Sequence, residues 1–242
     1  MCSRVGCEGQ TLKAPDYLRD LEKFGSVYLP KWCEGLSLQD AGATIGKVLN
    51  VQELWPGAAV PTVQRLEARE PAAGSGRRYS DIYGRKRFPF HTDLAQWAIP
   101  PRYLLLRCVN GAVGVRTGVL DAAYFINIFG RAGAKRALFR SRNPISSISS
   151  GGILPLLEDK GGREIFRWDP EFLLPANASA AEVRDKIIKG ELSFINQAEY
   201  FSLLQPNDAL VIDNWRYLHC RTEVPGDAER VIERIYLTEF HG

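Results

Sequence analysis

The chain has 242 residues, 45% of them apolar, with a formal net charge of +3, so it can bury a sizeable single core while its overall field favours no particular partner. No apolar stretch approaches the roughly 20 residues that span a bilayer, and the start Met1-Cys2-Ser3-Arg4 lacks the apolar run of a secretory signal. The cysteines (Cys2, Cys7, Cys33, Cys108 and Cys220) are odd in number and scattered, which argues against a zinc site and for free thiols in a reducing cytoplasm.

From Asp16 to Phe24 the apolar residues fall at helical spacing, and Gly25 ends the helix. Ser26-Val27-Tyr28-Leu29 reads as a short strand. Ser37 opens a second helix, with Ala41, Ile45, Val48 and Leu49 on its buried side. Ala72 to Gly76 is a loop that leads into a basic segment, Arg77, Arg78, Arg85, Lys86 and Arg87. Tyr103 to Val109 fits a buried strand. Asp121 caps a helix that carries Tyr124, Phe125 and Phe129, and a second basic cluster follows at Arg131, Lys135, Arg136, Arg140 and Arg142. Ser179-Ala180-Ala181-Glu182 is a capping-box pattern whose helix Gly190 can terminate. Pro206-Asn207-Asp208 turns into the strand Ala209-Leu210-Val211-Ile212. With no fixed-period repeat and no long linker, residues 1–242 read as one domain, with a variable insert at about 140–200. Neither basic cluster has the aromatic interleaving of a base-stacking platform, so no nucleic acid is expected. The first cluster, next to a flexible loop, reads instead as a lid that attracts an anionic small molecule.

The residues richest in chemistry are His91 and Asp93, in Phe88-Pro89-Phe90-His91-Thr92-Asp93-Leu94. Residues two apart on a strand share a face, so the imidazole and the carboxylate can reach one point. A second histidine, His219, follows the apolar run Val211-Ile212-Asp213-Asn214-Trp215-Arg216-Tyr217-Leu218. Two imidazoles and one carboxylate on one face of a metal, with the other positions open, form the ligand set of a non-haem Fe(II) oxygenase. Downstream, Arg230 and Arg234 are four apart in Arg230-Val231-Ile232-Glu233-Arg234-Ile235-Tyr236-Leu237. Guanidiniums pointing inward from an apolar strand require an anionic partner, and a carboxylate suits their forked geometry.

Together these stretches, with Pro100 to Leu106 and Val115-Arg116-Thr117-Gly118-Val119-Leu120-Asp121, resemble the TauD/TfdA, or clavaminate-synthase-like, family of Fe(II)- and 2-oxoglutarate-dependent dioxygenases. The resemblance covers roughly residues 88–121 and 204–238 and leaves 140–200 unmatched. It implies a mainly β fold with flanking helices, a distorted double-stranded β-helix or jelly roll. It also implies that His91, Asp93 and His219 are the iron ligands. Arg230 would hold the far carboxylate of 2-oxoglutarate, Thr117 would be its hydroxyl partner, and Arg234 would lie near the cosubstrate and the prime substrate. Two positions depart from the pattern: Gly114-Val115-Arg116 precedes Thr117 where the family has two glycines and an acid, and Cys220 follows His219 where glycine is common. The implied chemistry consumes O2 and 2-oxoglutarate, releases succinate and CO2, and hydroxylates a C–H bond of a small, anionic or amino-acid-like substrate. Desaturation or cyclisation would use the same iron set. A silent jelly-roll binding protein and a zinc hydrolase are the competing readings, and a hydrolase leaves the two inward arginines without a role.

Overall fold

A computed structural model describes residues 14–54, 61–70, 79–142 and 152–241. The loop expected at 72–76, Arg77, Arg78, Cys2 and Cys7 lie outside the described residues. Helix α1 (Ala14–Phe24) buries Tyr17 and Leu21, one turn apart, and ends at Gly25 with a φ of +69°. Glycine is needed there twice over, because a Cβ would overlap the Tyr217 ring. Strand β1 (Ser26–Leu29) follows, and Ser37 caps α2 (Leu38–Ile45) by accepting from the Asp40 amide. The helix is shorter than its periodicity suggests. At Gly46 the chain extends into β2 (Gly46–Val48) to pair with the C-terminal strand, so Leu49 is buried and Val48 half-buried outside any helix. A Cβ at Gly46 would lie 2.3 Å from the Glu239 carbonyl oxygen, so the close approach selects glycine.

The next elements are α3 (Val51–Leu54), β3 (Gln64–Glu67), α4 (Tyr79–Tyr83), β4 (Phe88–His91), β5 (Tyr103–Asn110) and β6 (Thr117–Asp121). After Asp121, whose carboxylate accepts from the Ala123 amide at 2.7 Å, come α5 (Ala123–Phe129) and α6 (Arg131–Arg136). The insert then supplies β7 (Leu138–Ser141), β8 (Leu154–Pro155), β9 (Leu157–Lys160), β10 (Arg163–Phe166), β11 (Leu173–Pro175), α7 (Ala178–Phe194) and β12 (Glu199–Phe201). The chain ends with β13 (Ala209–Asp213), β14 (Tyr217–Arg221) and β15 (Val231–Phe240). Two expectations for α7 are corrected. Asn177, not Ser179, is the cap: its side-chain oxygen accepts from the Ala180 amide at 2.8 Å while its amide group donates to the Arg136 carbonyl, tying the helix start to α6. Gly190 lies inside the helix, where the Phe194 ring packs so closely that a Cβ would come within 2.8 Å.

Two antiparallel sheets carry the architecture. One runs β1-β13-β5-β15-β2 with β3 also on β15, and the other runs β12-β6-β14-β4. Alternation along the strands divides the core into layers. Leu104, Leu106, Leu210, Ile212, Ile232 and Tyr236 of the first sheet meet Val119 and Tyr217 of the second, forming the interior. The opposite face of the first sheet, with Leu105, Val211 and Ile235, is covered by Tyr17, Leu21, Leu38 and Ala41 of α1 and α2. The opposite face of the second, with Phe90, Leu120 and Leu218, is covered by the insert through Phe139, Phe166, Trp168 and Ile187. Strand β5 is covered on both faces, which explains its apolar run Tyr103–Leu106, and Arg107 that follows is paired with Glu233 and the Leu36 carbonyl. The result is a mainly β, distorted double-stranded β-helix with flanking helices.

Candidate active site

Strand β4 pairs antiparallel with β14 so that His91 and His219 are direct cross-strand partners. Partners in register share a face, here the interior one, because Phe90, Leu218 and Cys220 point the other way into the insert-covered layer. The two imidazole centroids are 4.3 Å apart. Strand β4 stops at His91, so Asp93 belongs to the turn that follows rather than to the strand, with Leu94 next to it at a φ of +55°. What brings the carboxylate back to the imidazoles is Asn214. Its side-chain oxygen accepts from the Asp93 amide at 2.7 Å, and its amide group donates to the carbonyls of Asp93 and Pro101 at 3.0 and 2.9 Å.

His91 Nε2 and His219 Nε2 lie 3.5 and 3.7 Å from the same oxygen, Asp93 Oδ1. All three side chains are buried, and their ligating atoms fall within 4.8 Å of one another. The remaining atoms are mostly committed elsewhere. His91 Nδ1 lies 2.9 Å from the Pro89 carbonyl, which assigns the proton to Nδ1 and leaves Nε2 as a lone-pair donor. Asp93 Oδ2 accepts from Arg234 Nη1 at 2.9 Å and from the Tyr236 hydroxyl at 3.1 Å, so only Oδ1 faces the imidazoles. His219 Nδ1 has no partner among the described residues.

The electrostatics agree with this division. Burial alone would raise the Asp93 carboxyl, but the Arg234 guanidinium and both imidazoles outweigh it and hold the group well below the usual carboxylate range. Burial, then repulsion from His91, lowers His219 to about 3, which keeps it neutral. Burial also opposes charge on His91, yet the bond to Asp93 and that carboxylate's charge move it above its ordinary value. The metal-free site thus favours one proton on His91, where a divalent cation would replace it. Two nitrogens and one oxygen facing a common point, with no thiolate in the set, fit a 2-His-1-carboxylate centre for Fe(II).

Thr117 and Arg230 are brought together as well. Thr117 lies two residues along β6 from Val119, the direct partner of His219, and so shares its face about 7 Å away. Arg230, just before β15, donates from Nη2 to Thr117 Oγ1 at 3.1 Å and bridges the two sheets. Both residues are buried, and among the described residues no carboxylate pairs with Arg230 and its Nε has no acceptor. Burial lowers this guanidinium to about 10. Arg234 is placed differently, with Nη1 on Asp93 and Nη2 on Gln64 Oε1, while Arg234 Nε and Gln64 Nε2 are buried without partners among the described residues.

The basic segment is not a free rim. Arg85 Nη1 donates to the carbonyls of Pro225 and Ala228 at 2.9 and 2.8 Å, fastening it to the turn before β15. Sequence reasoning also missed Asn214, Tyr236 and Gln64. Tyr236 was discoverable, since it stands two residues past Arg234 on the same strand face.

No protein-family model matches the sequence, and no curated protein does. Solved structures do match. Asparagine oxygenase in complex with Fe(II), (2S,3S)-3-hydroxyasparagine and succinate superposes with a TM-score of 0.64 at 20% identity, over 93% of this chain and 78% of that one. PvcB, an iron- and α-ketoglutarate-dependent oxygenase from an isonitrile synthetic pathway, gives 0.64 at 20% identity over 93% and 80%. A taurine dioxygenase from Burkholderia xenovorans gives 0.64 at 15% identity over 96% and 85%. The chain shares their fold. That fold is the taurine-dioxygenase-like double-stranded β-helix expected from the resemblance.

Proposed function

We propose that this protein is an Fe(II)- and 2-oxoglutarate-dependent dioxygenase that hydroxylates a C–H bond of a small, anionic or amino-acid-like substrate. The observation that carries the reading is the juxtaposition of the His91–Asp93–His219 cluster with a buried guanidinium, Arg230, that lacks a carboxylate partner among the described residues. A buried cation without a counter-charge is costly, and a dicarboxylate supplies that counter-charge. Thr117 stands two residues along β6 from the partner of His219, roughly 7 Å by strand rise, a span on the scale of a five-carbon keto acid. Metal hydrolysis of a neutral bond does not by itself call for such an anchor.

Fe(II) bound by these side chains would supply the activation of O2 that couples decarboxylation of the keto acid to oxidation of the substrate. The protein's own residues bind and orient. Arg230 and Thr117 anchor the far carboxylate, while Asn214, Arg234 and Tyr236 fix the ligand carboxylate so that one oxygen alone is presented. The apolar interior around Leu106, Val119 and Ile212 keeps bulk water away. The unpartnered donors Gln64 Nε2 and Arg234 Nε, next to Asp93, support a substrate that brings a carboxylate or carbonyl acceptor. Similar folds whose structures hold hydroxyasparagine and (3S)-hydroxy-L-arginine support the amino-acid-like class. We read residues 1–242 as one domain. Among the described residues, no helix is long and apolar enough to cross a membrane.

Aerobic turnover with Fe(II) and 2-oxoglutarate tests the proposal. Succinate release that increases with an amino-acid-like substrate, together with a product heavier by one oxygen atom, is the expected result. No succinate under any substrate would return the chain to the binding-protein or hydrolase readings. A product lighter by two hydrogens would select desaturation or cyclisation.

A further inference from the structure

One short stretch of the insert, Arg167 to Phe172, touches both halves of the metal cluster. Arg167 is fully buried, and its guanidinium reaches three backbone carbonyls of the turn just past Asp93. Nη1 donates to Ala95 and Trp97 at 3.2 and 2.7 Å, and Nη2 to Ala98 at 3.4 Å. Glu158 pairs with Arg167 and balances its charge. The next residue, Trp168, exchanges bonds with the residue between the two ligands. The Thr92 amide donates to the Trp168 carbonyl at 2.7 Å, and the Trp168 amide donates to Thr92 Oγ1 at 3.1 Å. Asp169 then accepts from the Tyr79 hydroxyl at 2.9 Å, and from the amides of Glu171 and Phe172 at 2.8 Å each. The Tyr79 ring lies flat on the His91 imidazole, with centroids 4.2 Å apart and planes 17° apart. Glu171 accepts from the Tyr83 hydroxyl at 2.7 Å, which anchors the other end of α4.

We propose that Arg167 and Asp169, with Tyr79, are positioning residues of the metal centre: Arg167 sets the turn that carries Asp93, and Asp169 sets the tyrosine that fixes the plane of His91. The proposal rests on the metal-centre reading above. The physical need is plain. Asp93 stands beyond the end of β4, where ladder bonds no longer hold the backbone, and an imidazole held only through Nδ1 can still tilt about its χ angles. Groups that orient ligands from outside the coordination sphere commonly contribute 10- to 100-fold to metal affinity. Here Arg167 and Asp169 come from a segment about 75 residues downstream of His91 and Asp93, next to Trp168 in the layer outside the second sheet, while Tyr79 comes from α4 just before β4.

Co(II) titration of the metal-free full chain, followed by its visible absorption, tests this without turnover. Tyr79→Leu removes the flat ring, Tyr79→Phe keeps the ring but frees it from Asp169, and Arg167→Lys keeps the charge but loses the fork. Leu154→Ala, in the same apolar layer but touching neither ligand, controls for general loosening. Tyr79→Leu and Arg167→Lys are expected to weaken Co(II) binding at least about tenfold and to alter the absorption bands, with Tyr79→Phe between them and wild type. Leu154→Ala is expected to melt earlier yet bind Co(II) with wild-type affinity and spectrum. If Arg167→Lys does not fold, the two Tyr79 variants decide. Wild-type affinity and spectrum in the folded variants would overturn the positioning role and leave the metal centre standing. Absence of Co(II) binding by the wild-type protein would overturn both.

Discussion

Replacing Arg230 by methionine isolates the function of one guanidinium. Methionine keeps much of the apolar stem and removes the charge and the donors. In the wild-type protein the residue is 9% exposed, its Nη2 is 3.1 Å from Thr117 Oγ1, and no carboxylate among the described residues offsets its charge. Burial lowers it to about 10, which marks the ligand-free state as electrostatically uncomfortable. Hydrogen bonds to a charged partner contribute about 1.5–3 kcal/mol. At 1.4 kcal/mol per factor of ten, losing them should raise the half-saturation for 2-oxoglutarate by roughly 10- to 150-fold. The assay is the initial rate of succinate release against 2-oxoglutarate concentration, alongside a thermal melt of the metal-free protein. The melt should not move downward, because the substitution removes a buried charge rather than a satisfied pair. An unchanged half-saturation would refute the anchor. A lower melting temperature with unchanged half-saturation would make Arg230 a structural residue.

His91→Ala, Asp93→Ala and His219→Ala should each abolish turnover and weaken Co(II) binding while the chain stays folded; wild-type metal affinity in one of them removes that residue from the cluster. Asn214→Ala leaves the Asp93 amide and the carbonyls of Asp93 and Pro101 without partners in a fully buried site. At about 1–3 kcal/mol for each buried orphan, the loss is at least about 3 kcal/mol, or roughly 6–12 °C for a chain of this size. A shift under about 2 °C would show that water or repacking replaces the clasp. Metal binding should also depend on pH through His91, whose raised value means that a proton must leave before the cation enters. Apparent Co(II) affinity is therefore full above that value and falls as pH drops through it, tending toward tenfold per unit across a window that begins above the ordinary imidazole range. A flat profile over that window would remove the proton from His91. His219 contributes nothing to the slope there, being neutral down to about pH 3.

The cluster of His91, Asp93 and His219 was legible because few residue types can bind a metal, and because cross-strand register turns distant residues into neighbours without altering their spacing along the chain. Helix and strand starts such as Ser37, Gly25 and Asn207 were legible for a related reason: each is enforced by local backbone geometry. The misreadings arose where tertiary contacts overrode a local pattern. Val48 and Leu49 continue a helical period, yet they pack against the core because β2 adds to the edge of β15. Ser179 to Glu182 has the form of a capping box, but Asn177 wins the cap because its amide also reaches Arg136 across the insert. The partners of Asn214 lie more than 100 residues away, and the carbonyls that Arg167 reaches about 70, so no window of sequence contains both ends of either contact.

Arginine shows this limit most sharply, since its five donors read identically in sequence whatever accepts them. Arg85 spends its donors on the carbonyls of Pro225 and Ala228, Arg221 on those of Gly84 and Lys86, and Arg167 on those of Ala95, Trp97 and Ala98. These are clamps that close loops and turns, and two of them fasten the segment that charge alone marks as a mobile lid. With Arg85 and Arg221 holding residues 84–86 against the C-terminal turn, closure over the site by that segment would have to break four such bonds. The buried arginines with donors to spare among the described residues are in the interior: Arg230, whose Nη2 reaches the Thr117 hydroxyl and whose Nε has no acceptor, and Arg234, whose Nε has none. In this chain the backbone carbonyls that an arginine's donors reach separate these clamps from Arg230 and Arg234, whose acceptors among the described residues are side chains. Net charge along the sequence does not.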